Sequence, residues 1–129
     1  MQAYVWIGLG GALGSMARHW STGLANVIAG VGFPWGTLAV NVIGSAVIGF
    51  AAATLSAEGR FPSSDAVRQF LMVGVCGGYT TFSAFSLQTL TLIEGGHWLS
   101  AVGNAGLSVG LCIGAVWLGY VGGLLVNPR

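Results

Sequence analysis

This sequence predicts an all-α membrane protein of four transmembrane helices, with the third helix broken at the midplane. Three observations carry that reading. The 129 residues are 54% hydrophobic and only 5% charged, with a mean hydropathy of +0.81, so an ordinary water-facing surface cannot be built from them. Arg18, Glu58, Arg60, Asp65, Arg68, Glu94 and Arg129 punctuate uncharged runs long enough for the roughly 20 residues that carry a helix across a bilayer. Within the third run, GVCGGYTTFS (Gly74 to Ser83) sets paired glycines before paired β-branched threonines, which weakens a helix from both sides.

The first span covers residues 3–24 and carries Gly10 and Gly14 at the four-residue spacing that lets helix backbones approach closely in lipid. The start, MQAYVWIGLGG, has no basic segment and further spans come after it, so a cleaved signal peptide is not expected. VGFPWG (Val31 to Gly36) then turns the chain at an interface where Trp35 can anchor among headgroups. The second span covers 35–57, with Ser45 and Gly49 continuing the small-residue spacing. SAEGRFPSSDAVR (Ser56 to Arg68) is the polar loop, with Ser64 or Asp65 as the cap of the third span. That span, 68–93, carries Gly74 and Gly78. EGGH (Glu94 to His97) joins it to the fourth, 98–126, too tightly for anything but an antiparallel pair. Residues 1–129 read as a single four-helix domain.

Polar residues form a second set of stripes. Thr37, Asn41 and Ser45 recur every four residues on the second span, and Asn104, Ser108 and Cys112 do so on the fourth. The latter stripe is two residues out of step with Gly106, Gly110 and Gly114, which places it on nearly the opposite side of the helix. One side is expected to pack and the other to present hydrogen-bonding groups. Such groups glue helices together, but two stripes plus the cluster on the third span point to a hydrated or ion-bearing path. A helix break would free backbone groups that persist in a bilayer only when protein or an ion satisfies them. An intact helix packed through its glycines is the other reading of the same run.

No Lys, Asp or Glu lies inside a span, which removes the carboxylates that a proton-coupled antiporter or an acid-lined cation path needs. Hydroxyls, carboxamide N–H groups and phenyl edges can all face an anion, although hydroxyl oxygens can also face a cation. Cys76 and Cys112 have no ligand-like spacing and read as packing residues. His19 and His97 fall at span ends, and no nucleophile, base and acid recur together, so the protein is not expected to be an enzyme. The net charge of +1 implies no nucleic-acid partner.

GGALGSMAR on the first span, PWGTLAVNVIGS on the second and GVCGGYTTFSAFS on the third, in this order, resemble the Fluc-type fluoride channels, the CrcB family. The resemblance covers nearly the whole chain. It implies an antiparallel, dual-topology homodimer in the plasma membrane, a bacterial inner membrane, with two pores that pass fluoride passively out of the cytoplasm. It implies that Asn41 and Ser108 donate hydrogen bonds to fluoride, that Phe82 and Phe85 meet it with ring edges, and that Thr37, Thr81, Ser83, Gln88, Asn104 and Cys112 lie along the path. It also implies a structural, non-transported Na+ held by main-chain carbonyls of Gly77 and Thr80. This chain departs from the family pattern at Gln88, where an acid is usual, at Asn104, where a tyrosine is common, and at Ala84 and Cys112, which replace hydroxyl residues. Two other readings stand beside the homodimeric channel: one subunit of an obligate heterodimeric channel, and a small non-conducting tetraspan assembly protein. Arg60, Arg68 and Arg129 on one side against Arg18 on the other give only a slight orientation bias.

Overall fold

The computed structural model describes residues 1–55 and 63–128, and among them every regular element is helical. The elements are α1 (Gln2–Ala29), α2 (Trp35–Thr54), α3 (Asp65–Arg68), a π-type stretch (Gln69–Cys76), α4 (Gly77–Tyr79), α5 (Phe82–Glu94) and α6 (Trp98–Val126). α3, the π-type stretch and α4 run on without interruption as one limb, and α5 is the second limb beyond a break at Thr80 and Thr81. The expected end of the second span, at 57, and the residues Glu58, Arg60 and Arg129 lie outside the described residues.

Trp35–Thr54, Asp65–Glu94 and Trp98–Val126 are long and apolar enough to cross a membrane. α1, at 28 residues, is as long but less apolar, because Ser15, Arg18, His19, Thr22 and Asn26 recur along it at helical spacing. It packs against the whole limb from α3 to α4 and against α2, while α2 pairs most extensively with α6.

Helix contacts are made through small residues. Gly10 and Gly14 of α1 meet Gly74 and Gly78 of the facing limb: a Cβ on Gly74 would lie 2.8 Å from the Gly10 Cα, and one on Gly78 would lie 2.5 Å from the Gly11 carbonyl oxygen. These two expected stripes are therefore the two halves of one seam. On α6 the outcome differs from the expectation. Gly119 and Gly123 close onto α2, where a Cβ on Gly123 would stand 2.7 Å from the Phe50 carbonyl oxygen, whereas Gly106, Gly110 and Gly114 have nothing within 4 Å. The Asn104 and Ser108 face is buried within the chain, so in this chain it is the polar side of α6 that turns inward.

The connections obey local chemistry. Ser64 caps α3 by accepting from the Val67 N–H at 3.4 Å, as a serine at that place should. Arg68 pairs with Asp65 one turn away. After α5 the chain reverses through Gly95 and Gly96, the latter with a φ of 77° that favours glycine, and the Gly96 and His97 N–H groups return to the Ile93 and Leu92 carbonyls at 2.9 and 2.8 Å. Near the C-terminus the Asn127 carboxamide donates to the Thr54 carbonyl at 2.8 Å, tying the end of α6 to the end of α2.

The break is sharply local. Gly77 and Gly78 stay helical, and the chain leaves the helix at Thr80 (φ −87°, ψ 158°) and Thr81 (φ −154°, ψ 116°), both extended. The threonines, not the glycines, depart from helix, in keeping with the β-region preference of β-branched residues. Gly78 serves the seam with α1 instead.

Candidate functional site

The extended residues at the break carry four main-chain polar groups, and each has a partner. The Thr80 N–H reaches the Cys76 carbonyl at 3.0 Å, closing the last turn. The Thr80 carbonyl accepts from Arg18 Nη1 at 3.1 Å. The Thr81 N–H donates to Asn41 Oδ1 at 2.8 Å, and the Thr81 carbonyl accepts from Asn41 Nδ2 at 3.1 Å. Side chains of α1 and α2 thus supply what the interrupted helix no longer can, the accounting a bilayer demands. Thr81 Oγ1 caps α5 by accepting from the Ala84 N–H at 3.2 Å and lies 3.2 Å from Ser83 Oγ. The Thr80 methyl sits over Gly44, where a Cβ would overlap it.

Two hollows flank this junction. The first is an open groove of about 660 Å³ in which Asn41, Ser45, Phe82, Phe85, Ser108 and Cys112 come together with Gly77 and Thr80. Its wall is mainly apolar, broken by these few polar groups. The rings of Phe82 and Phe85 stand 5.2 Å apart at 48°, and Phe82 is 77% exposed, so half of the aromatic pair faces out of the chain. The second hollow, about 600 Å³, is a polar vestibule lined by Arg18, His19, Thr37, Thr81, Ser83 and Gln88 among others. Arg18 is the only Lys, Arg, Asp or Glu among its lining residues. Thr81 is the one residue that lines both hollows.

The residues singled out from sequence therefore divide. Asn41, Phe82, Phe85, Ser108 and Cys112 share the groove with Gly77 and Thr80. Thr37, Ser83 and Gln88 share the vestibule, where Gln88 Oε1 is buried with no donor among the described residues. Asn104 lines neither: it is 1% exposed, and its Nδ2 donates to Thr89 Oγ1 at 2.9 Å, joining α6 to α5. Cys76 and Cys112 are free thiols.

Arg18 is the residue at the break that sequence reasoning missed. Read from the sequence it belongs to the charge balance of the loops, yet it lies midway along α1 and is turned inward onto the break. The signal was present in the polar series Ser15, Arg18 or His19, Thr22 and Asn26, spaced by three and four as one helix face requires. All five line the vestibule.

Chemically, the groove offers hydroxyls, one carboxamide and phenyl edges without a carboxylate, and the vestibule offers one fixed cation among hydroxyls and carboxamides. Such a set can draw in and desolvate a small anion.

Residues 5–120 match the family model described as CrcB-like protein, Camphor Resistance (CrcB). A protein of Methylocella silvestris named fluoride-specific ion channel FluC is 51% identical over 124 residues, covering 96% of this chain and 95% of the relative. Proteins of the same name from Rhodospirillum rubrum and Opitutus terrae are 53% identical, covering 96% of each chain, and 50% identical, covering 98% of this chain and 96% of the relative.

Proposed function

Because this chain belongs to the CrcB family, whose members are ion channels and not enzymes, we propose that it is a passive, fluoride-selective channel carrying fluoride out of the cytoplasm. It is a multi-pass protein of the bacterial plasma membrane. The observation that carries the proposal is the groove itself, which Asn41 and Ser108, both with donor groups, line together with the Phe82 and Phe85 rings and no acid. A phenyl edge bears the positive part of the ring quadrupole, so these rings complement hydroxyl and carboxamide donors around a partly dehydrated anion. Fluoride would enter by the vestibule, where Arg18 raises the local anion concentration, and pass Thr81 into the groove. Purified alone and reconstituted in liposomes, the chain is expected to release loaded fluoride and retain chloride. Efflux that begins only when a second, different subunit is added would favour the heterodimer. A tight, dimeric but non-conducting protein would favour the assembly role.

The groove is open on one protomer, and Gly77, Phe82 and the Gly106, Gly110 and Gly114 face lie uncovered. The proposed active form is an antiparallel homodimer in which each of two pores is completed by the other copy, an isologous arrangement that a twofold axis allows. Tagging that found only one N-terminal orientation in the membrane would overturn it.

Gly77 and Thr80 are the proposed main-chain ligands of a central, structural Na+. The N–H that would have continued the helix onto the Gly77 carbonyl belongs to Thr81 and is turned to Asn41. The Thr80 carbonyl accepts one bond from Arg18 and keeps a second lone pair. Both oxygens thus suit a hard cation, which would supply a positive charge next to the anion path. Exchanging Na+ for a large organic cation throughout purification is expected to lower both the dimer fraction and fluoride flux. Indifference of both would remove the ion from the proposal.

A further inference from the structure

The geometry points to Asn41 as a positioning residue that, together with Arg18, holds the helix break in place within a single protomer, before any ion or second copy contributes. Asn41 uses both ends of its carboxamide on one residue: Oδ1 takes the Thr81 N–H at 2.8 Å and Nδ2 gives to the Thr81 carbonyl at 3.1 Å. This is the exchange that a neighbouring β-strand residue would make with an extended partner, and Thr81 is extended, with φ −154° and ψ 116°. Arg18 holds the preceding carbonyl from the opposite helix. The consequences run outward from this clamp. Thr81 is fixed as the cap of α5 through Ala84, and the start of α5 then sets where Phe82 and Phe85 stand along the edge of the groove.

A side chain waiting only for an anion would leave its carboxamide unpaired in the resting protein. Asn41 instead has one Nδ2 hydrogen remaining after its bond to the Thr81 carbonyl. Its effect on the path is therefore exerted first through the backbone it holds. A cation at Gly77 and Thr80 then acts on a break that already exists.

The test is site-resolved amide exchange of a chain labelled with 13C,15N-threonine in fluoride-free buffer, with the intrahelical Thr54 and Thr89 amides as internal references. In Asn41→Ala the Thr81 amide, left without its acceptor beside the vestibule, is expected to exchange about tenfold faster or more, the references staying protected, and reconstituted flux to fall by a similar factor. Thr81 protection unchanged in that variant would overturn the proposal, whether flux is lost, which would make Asn41 an anion contact alone, or kept. Loosening of all threonine amides together would also overturn it, as general loss of fold. Should Asn41→Ala fail to fold, Asn41→Asp keeps the acceptor and loses the donor. Its Thr81 amide is expected to stay protected while the Thr81 carbonyl carbon resonance shifts, and a carbonyl resonance that does not move would count against the clamp. The flux arm rests on the channel reading; the exchange arm does not, so a failure of one is distinguishable from a failure of the other.

Discussion

A Phe85→Ile protein is expected to assemble as the unmutated chain does while conducting fluoride several-fold more slowly. Isoleucine keeps most of the bulk that the half-buried ring gives the groove wall but has no quadrupole. A favourable aromatic contact contributes about 0.5 to 1.5 kcal/mol beyond its area, and a barrier raised by that amount slows passage by roughly two- to twelve-fold. The two rings lie 5.2 Å apart, so loss of one also removes the support that orients the other. Flux from liposomes, beside dimer mass in detergent, is the measurement. Unmutated conduction by an intact Phe85→Ile dimer would reduce the ring to a packing element, leaving Asn41 and Ser108 to define the path.

The largest effect on assembly is expected at Gly14. A Cβ there would overlap the Val75 carbonyl oxygen and lie 2.8 Å from the Tyr79 nitrogen, both backbone atoms that no side-chain rotation can move aside. Gly14→Val should therefore push α1 off the limb that ends at the break, at a cost of about 1 to 3 kcal/mol or more, and little monodisperse protein should be recovered. Gly110→Ala is the matched control, since nothing within one protomer stands near that position. Its monomer fold should survive, with any loss confined to the dimer fraction on size exclusion. Equal recovery of Gly14→Val and the unmutated protein would mean that the α1 seam is looser than its geometry.

These two glycines also mark where sequence reasoning runs out. The helical runs, the Ser64 cap, the tight Gly95 and Gly96 reversal and the interruption near Thr80 are all local consequences of composition and spacing, and they were legible. On α6, however, Gly106, Gly110, Gly114 and Gly119, Gly123 satisfy the same four-residue rule, and spacing alone does not say which set meets α2. The partner helix decides that, and the partner is a tertiary fact. Asn104 was readable as a polar group on the Ser108 side, but its partner, Thr89, lies 15 residues earlier on α5, beyond any periodic signal. Arg18 was hidden for the opposite reason. An arginine inside an apolar helix demands a partner, and the partner is a main-chain carbonyl 62 residues away that exists as an acceptor only because the third helix stops there.

Thr81 stands alone between a chamber lined mostly by polar side chains and a mainly apolar groove. Water is the better conductor, so on the channel reading the chamber holding Arg18 sits close to the potential of the bath, and most of the voltage drop falls over the stretch beyond Thr81. An anion too large to pass that residue would still enter the polar chamber and obstruct it. Because it stops before the steep part of the field, its block should vary only weakly with voltage. A blocker that reached the Phe82 and Phe85 rings would instead be driven in or out by the applied potential. The electrical distance of block therefore reports on which side of a single threonine an ion has come to rest.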